Sequence, residues 1–152
     1  MEHPRFKASK LRAATWHYFQ ACLFFNSQKF KEANRALDGA TNLLGDKMGW
    51  NIAFRLLEIM NHYELGNLDT TDAKIKNMRH YLRRSKKDSE LYRAMELIYI
   101  LLEWHKYGLN LELAMPHIQP RLNNLKEFHK EFPFNPNATE LVRFEEWIVT
   151  KK

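Results

Sequence analysis

The sequence predicts an all-α fold of antiparallel helix pairs, and three features carry that expectation. Apolar residues recur at spacings of three and four through nearly every periodic stretch. The five glycines are isolated, and Gly45, Gly66 and Gly108 fall where such stretches end, as helix terminators do. No segment alternates apolar and polar residues between turn residues, so no strand is expected.

The first helix is expected from about Ser9, as its cap, to about Asn26, with Leu11, Ala14, Phe19, Ala21, Leu23 and Phe24 giving a broad apolar surface. After the polar break at Ser27, Gln28 and Lys29, a second runs through Leu44 on Phe30, Ala33, Leu37 and Ala40, and Gly45 ends it in a left-handed conformation. Gly39 lies inside that helix at a cost of about 1 kcal/mol against alanine, which points to close packing there. The third helix spans about Met48 to Leu65, with Ile52, Leu56, Ile59 and Tyr63 on one side. Asp69 is expected to cap a fourth, Thr70 to about Arg84, with Ile75, Met78 and Leu82 inward. A turn at Ser85 to Asp88 leads to a fifth, from about Ser89 to Tyr107. The sixth occupies roughly Leu111 to Phe132, where Pro116 and Pro120 are expected to kink it or delay its start. Beyond Pro136, Asn137 and Glu140 have capping-box spacing and open a C-terminal capping helix carrying Leu141, Phe144, Trp147 and Ile148.

A chain of 152 residues with 45% apolar and 28% charged residues is long enough to bury a core and lies in the globular range. The formal net charge of +6 favours anionic partners at the level of encounter. Cys22 is the single cysteine, so neither an intrachain disulfide nor a cysteine-rich zinc site is available, and its apolar setting reads as a small buried hydrophobe. The start, Met1 to Arg5, lacks the apolar stretch of a secretory signal. The longest apolar run, Leu97 to Leu102, is far below the ~20 residues that span a bilayer. A reducing cytoplasm and no membrane contact are therefore expected.

Phe30 and Leu68 each follow a helix and a break, and the 38 positions between them lie in the range of helix-pair repeats. Ala21, Phe24, Phe30, Ala33, Leu37 and Ala40 resemble the small and large positions of a tetratricopeptide repeat, in which small residues let paired helices approach closely. The second unit departs from it, with Ile59, Thr71 and Met78 at places for small residues. Phe54 to Asn67, Tyr81 to Arg84, and the ending Phe132–Phe134 with Phe144–Ile148 resemble the C-terminal part of an uncharacterised family of large bacterial tetratricopeptide-like proteins. That resemblance implies a right-handed helical-repeat array with pairs at about 9–44, 48–84 and 89–132 and a cap at about 138–149. The chain would then be one domain and the C-terminal fragment of a longer protein. The resemblance brings no substrate, cofactor or catalytic residue with it.

In tetratricopeptide geometry a concave groove would show Tyr18, Cys22, Phe25, Asn26, Leu56, Met60, Tyr63 and Glu64, which suits a peptide or partner helix. Trp16, Phe19, Phe24, Trp50, Trp104 and Trp147 have spacings that suit a core. The densest positive charge, Arg79, Arg83, Arg84, Lys86 and Lys87, is either a solvated helix end that complements the helix dipole or an anion and nucleic-acid patch. Glu58 and His62 share a helix face as a local polar pair, and no metal, cofactor or phosphate loop is expected from the motifs present. Arg55, Asn61 and His62 resemble the signature of a family of small all-helical ribonucleases. There the histidine would move the 2′-hydroxyl proton and the arginine would stabilise the phosphorane charge. The leading expectation is a non-enzymatic scaffold that binds protein, with nucleic-acid binding and the ribonuclease as its rivals.

Overall fold

The computed structural model describes residues 4–45, 49–84, 92–131 and 141–151, and among them every regular element is a helix. In chain order these are α1 (Pro4–Asn26), α2 (Phe30–Asp38), a 3-10 helix (Thr41–Gly45), α3 (Trp50–Glu64), α4 (Leu68–Arg84), α5 (Tyr92–Lys106), α6 (Leu111–Glu131) and α7 (Phe144–Ile148). The all-α expectation holds for these residues.

Several boundaries move. Residues Pro4 to Ser9 are already helical, so Ser9 lies inside α1 and is not its cap. Helix α2 stops at Asp38, six residues before the expected Leu44. From there Gly39 N donates to Ala36 O at 3.1 Å, Ala40 N to Leu37 O at 2.9 Å and Leu43 N to Ala40 O at 3.0 Å, so the chain tightens to three-residue bonding. Gly45 closes that 3-10 turn without a positive φ, against the left-handed terminator expected of it. Gly39 does mark a close approach: a Cβ there would lie 2.7 Å from His17 Cγ.

Asp69 is in the first turn of α4 and not its cap; the carbonyl of Asn67 receives both Thr71 N and Thr71 Oγ1 at 2.9 Å. Helix α6 starts without delay at Leu111, where Asn110 Oδ1 accepts Leu113 N at 3.1 Å as an N-cap. Pro116 and Pro120 both lie inside it on its exposed side, where water can reach the carbonyls of Glu112 and Pro116 that lose their donor. Helix α7 is limited to Phe144–Ile148, with Arg143 extended before it and Leu141 51% exposed outside it. The turn at Ser85 to Asp88, the start at Ser89 and the capping pair Asn137 and Glu140 lie outside the described residues.

Three helix ends are closed by the same pair of backbone hydrogen bonds. Lys29 N reaches Phe24 O at 2.8 Å, Asn67 N reaches His62 O at 2.9 Å, and Leu109 N reaches Trp104 O at 2.9 Å. Inside each, the residue before closes a shorter bond: Gln28 N to Phe25 O, Gly66 N to Tyr63 O, and Gly108 N to His105 O. Gln28, Gly66 and Gly108 have φ of 58°, 76° and 63°, completing three left-handed Schellman ends. Glycine has no Cβ to clash in that conformation, which is why Gly66 and Gly108 were readable as terminators and Gln28 was not. Phe30 and Leu68, two positions after Gln28 and Gly66, each open a helix.

Internal contacts divide the chain into two compact units, Met1–Thr71 with Thr139–Val142, and Asp72–Ala138 with Arg143–Lys152. In the first, α1 packs on α2, α2 on α3, and the 3-10 turn on α1 and α3. Ala14 and Ala21 of α1, Ala33 and Ala36 of α2, and Ala40 are all buried. Small side chains on both partners permit this close spacing. Asn61, fully buried, donates from Nδ2 to Phe30 O at 3.0 Å, and Asn51 donates to Leu44 O. Tyr18 and Phe19 both meet the Trp50 ring edge-on, at 5.8 and 5.9 Å between centroids.

The second unit centres on α5 and α6, with Leu97, Leu101 and Trp104 buried on one and Ala114, Ile118 and Leu122 on the other. Ile75, Met78 and Leu82 of α4 are buried as expected. His105 Nδ1 meets Asp72 Oδ1 at 2.5 Å, and Arg121 Nη1 meets Glu96 Oε1 at 3.0 Å. Helix α7 buries Phe144 and Ile148 fully, sets Trp147 edge-on to Trp104 at 5.8 Å, and pairs the buried Glu145 with Arg93 at 2.6 Å.

Candidate functional site

Among the described residues, helix α1 carries the most exposed large apolar side chains. Its inner face is Ala14, Tyr18, Ala21, Cys22 and Phe25, a register of i, i+4, i+7, i+8 and i+11, with every member below 7% exposure. Trp16 and Leu23 are on the other side, 63% and 68% exposed, and Phe19 is half-buried. The expectation that Trp16 belongs to the core is therefore corrected. The alanine seam with α2 leaves no volume for an indole, so α1 turns its small residues inward and its tryptophan out. Trp104 and Trp147 are core as expected, and Phe24 and Trp50 are half-buried.

The residues expected to line a groove fall differently. Tyr18, Cys22, Phe25, Leu56 and Met60 are buried, Tyr63 and Glu64 half-buried, and Asn26 exposed. The buried five contribute to the core and offer no face to a partner. Burial pushes the Cys22 thiol up to about 11, against the opposing effect of a hydrogen bond with Tyr18, which makes it an inert thiol at neutral pH. Partial burial, and then the neighbouring Glu64, raise the Tyr63 phenol.

Arg79, Arg83 and Arg84 are exposed toward the end of α4; Lys86 and Lys87 lie outside the described residues. Arg55 and His62 are both half-buried on α3 and two helical turns apart. Arg55 Nε donates to Asn51 Oδ1 at 2.7 Å, and His62 Nδ1 is 3.4 Å from Asn67 Nδ2. Asn61, the third member of that pattern, is committed to Phe30 O and so serves the fold. Glu58 is half-buried one turn before His62. Among the described residues no three of His, Cys, Asp and Glu are grouped to hold a metal ion, and no helix is long and apolar enough to cross a membrane.

Trp16 and Leu23 were not expected at the surface. The available signal was that α1 is apolar nearly all round from Ala13 to Phe25, more than one packed face requires. No protein-family model matches the chain, and no curated protein and no solved structure shows significant similarity to it.

Proposed function

We propose that the chain is a non-enzymatic scaffold that binds protein, with its helices arranged as antiparallel pairs in a tetratricopeptide-like right-handed array. The repeat reading is supported by three helix ends closed by the same pair of backbone bonds, with Gln28 and Gly66 38 positions apart and Gly66 and Gly108 42 apart; at the third, Leu109 is left-handed as well (φ 60°) and the next helix opens one residue later. Ala21, Ala33 and Ala40, the small positions of the repeat pattern, are all fully buried. The observation that carries the binding reading is α1, which buries one apolar face and exposes a second. Large apolar side chains in register on a helix surface are the usual anchors of helix-to-helix recognition. The test is affinity capture from native lysate with the full chain as bait, using mild crosslinking and mass spectrometry. A reproducible protein partner that purified chain competes away supports the reading, and capture of no specific protein ends it.

The exposed guanidinium groups of Arg79, Arg83 and Arg84 favour a second reading, a nucleic-acid patch. It requires that a labelled single-stranded oligonucleotide bind at low salt, and that changing the three to glutamine flatten the salt dependence. Anisotropy showing no binding by the unmutated chain at low salt discards it.

A further inference from the structure

The charge of α1 has one sign. From Pro4 to Asn26 it has no aspartate or glutamate, and Arg5, Lys10 and Arg12 are exposed on it. The cations occupy its first half and the exposed apolar pair its second. Trp16 and Leu23, seven residues apart, lie two turns from each other on one side, about 10 Å along the axis. Phe19 sits between them half-buried, and Arg12, exposed, is one turn before Trp16. Arg12, Trp16, Phe19 and Leu23 thus form one stripe that begins in positive charge and ends in apolar surface.

We propose that this outward stripe of α1 docks an acidic amphipathic helix of a partner protein. The inference rests on the protein-binding reading above and gives it a surface and a ligand chemistry. An incoming helix with apolar anchors at i, i+3 or i+4 and i+7 matches the span from Trp16 to Leu23. A carboxylate in its next turn would meet Arg12, which is exposed in the same stripe. A second copy of this chain meets only half of that requirement. Two antiparallel α1 helices would set Trp16 against Leu23 and offer Arg12 no carboxylate, since α1 has no aspartate or glutamate. A membrane surface fits less well, because an interfacial helix spreads its apolar side chains over a broad face. Here α1 already spends its widest apolar face on the core.

The experiment uses the full chain and a fluorescein-labelled synthetic helix of leucine and glutamate, with leucines in the i, i+4, i+7 register. A twin with lysine in place of glutamate is the control. Anisotropy is expected to show binding of the glutamate helix that weakens with salt, with little binding of the lysine twin. The pair Trp16→Ala and Leu23→Ala should weaken it by at least about ten-fold, and Arg12→Glu alone should also weaken it. Circular dichroism of these variants should be unchanged, because the side chains removed are exposed. Equal binding of the two synthetic helices, or full binding by the double variant, overturns the proposal. So does a sedimentation dimer that the double variant abolishes, which assigns the stripe to a second copy. Co-sedimentation with phosphatidylserine vesicles that depends on Trp16 and Leu23 assigns it to a membrane and overturns it equally. The lysate capture separates the two levels: a partner held equally by wild type and double variant removes this stripe but leaves protein binding standing.

Discussion

Gln28 occupies at the first helix connection the left-handed position that Gly66 and Gly108 occupy at the other two, with φ of 58°. A side chain in that conformation crowds the following carbonyl at a cost of roughly 1–2 kcal/mol. Gln28 is exposed, so replacing it should disturb no packing. Gln28→Gly is expected to stabilise the protein by about 0.5–1 kcal/mol once the greater entropy of an unfolded glycine is subtracted. Urea denaturation checks this, and a destabilised variant would mean that the amide side chain supplies more than its backbone costs. Cys22 gives a prediction about pH. Its thiol rises from the ordinary 9.0 to about 11 because burial disfavours the thiolate. A group held neutral in this way contributes stability that is complete below about pH 9 and lost as pH climbs through about 11. Reaction with Ellman's reagent at pH 8 should run about a hundred-fold slower in the folded chain than in urea, from the thiolate fraction alone. Equal rates would show Cys22 to be exposed.

Among the elements, α6 is the one whose sequence opposes its structure. Proline inside a helix removes a hydrogen bond and presses on the preceding turn, at roughly 3 kcal/mol, yet α6 runs from Leu111 to Glu131 through Pro116 and Pro120. Ala114, Ile118, Leu122 and Leu125 are buried along it, and Asn110 caps its start. Packing and cap together outweigh the local penalty. Pro116→Ala and Pro120→Ala should each stabilise by about 1–3 kcal/mol, after allowing for the freer unfolded chain. A lower melting temperature in calorimetry would show that the proline rings make contacts worth more than the helix bonds they forbid. Helix α2 shows the opposite case. Its residues promised a helix to Leu44, and the contact between Gly39 and the His17 ring marks where the chain instead tightens into a 3-10 turn.

For the molecule, the C-terminal segment is expected to act as a structural cover of the second unit. Phe144, Trp147 and Ile148 are buried, and full burial of three such side chains contributes roughly 5–9 kcal/mol, a large share of a domain's net stability. The Arg93–Glu145 pair adds a second hold, since removing one partner of a buried pair leaves the other uncompensated. Ending the chain after Val142 should therefore lower the melting temperature sharply and loosen amide protection in α5. Hydrogen exchange in α5 unchanged from the full chain would refute this role.

The helical class was legible along the chain, because spacings of three and four and the isolated glycines are local properties. Ile75, Met78 and Leu82, the ends at Gly66 and Gly108, and the small seam of Ala21, Ala33 and Ala40 were all legible in this way. Which side of α1 faces inward was set by its packing against α2. An almost wholly apolar stretch gives periodicity no unique phase, so Trp16 was expected in the core and Tyr18 in a groove, and the structure reverses the two. The choice depends on the fit of Ala14 and Ala21 against the alanines of α2, and complementarity of volume belongs to a pair of helices. The outward stripe of Trp16 and Leu23 was invisible for the same reason: a surface residue is defined by what its neighbours leave uncovered.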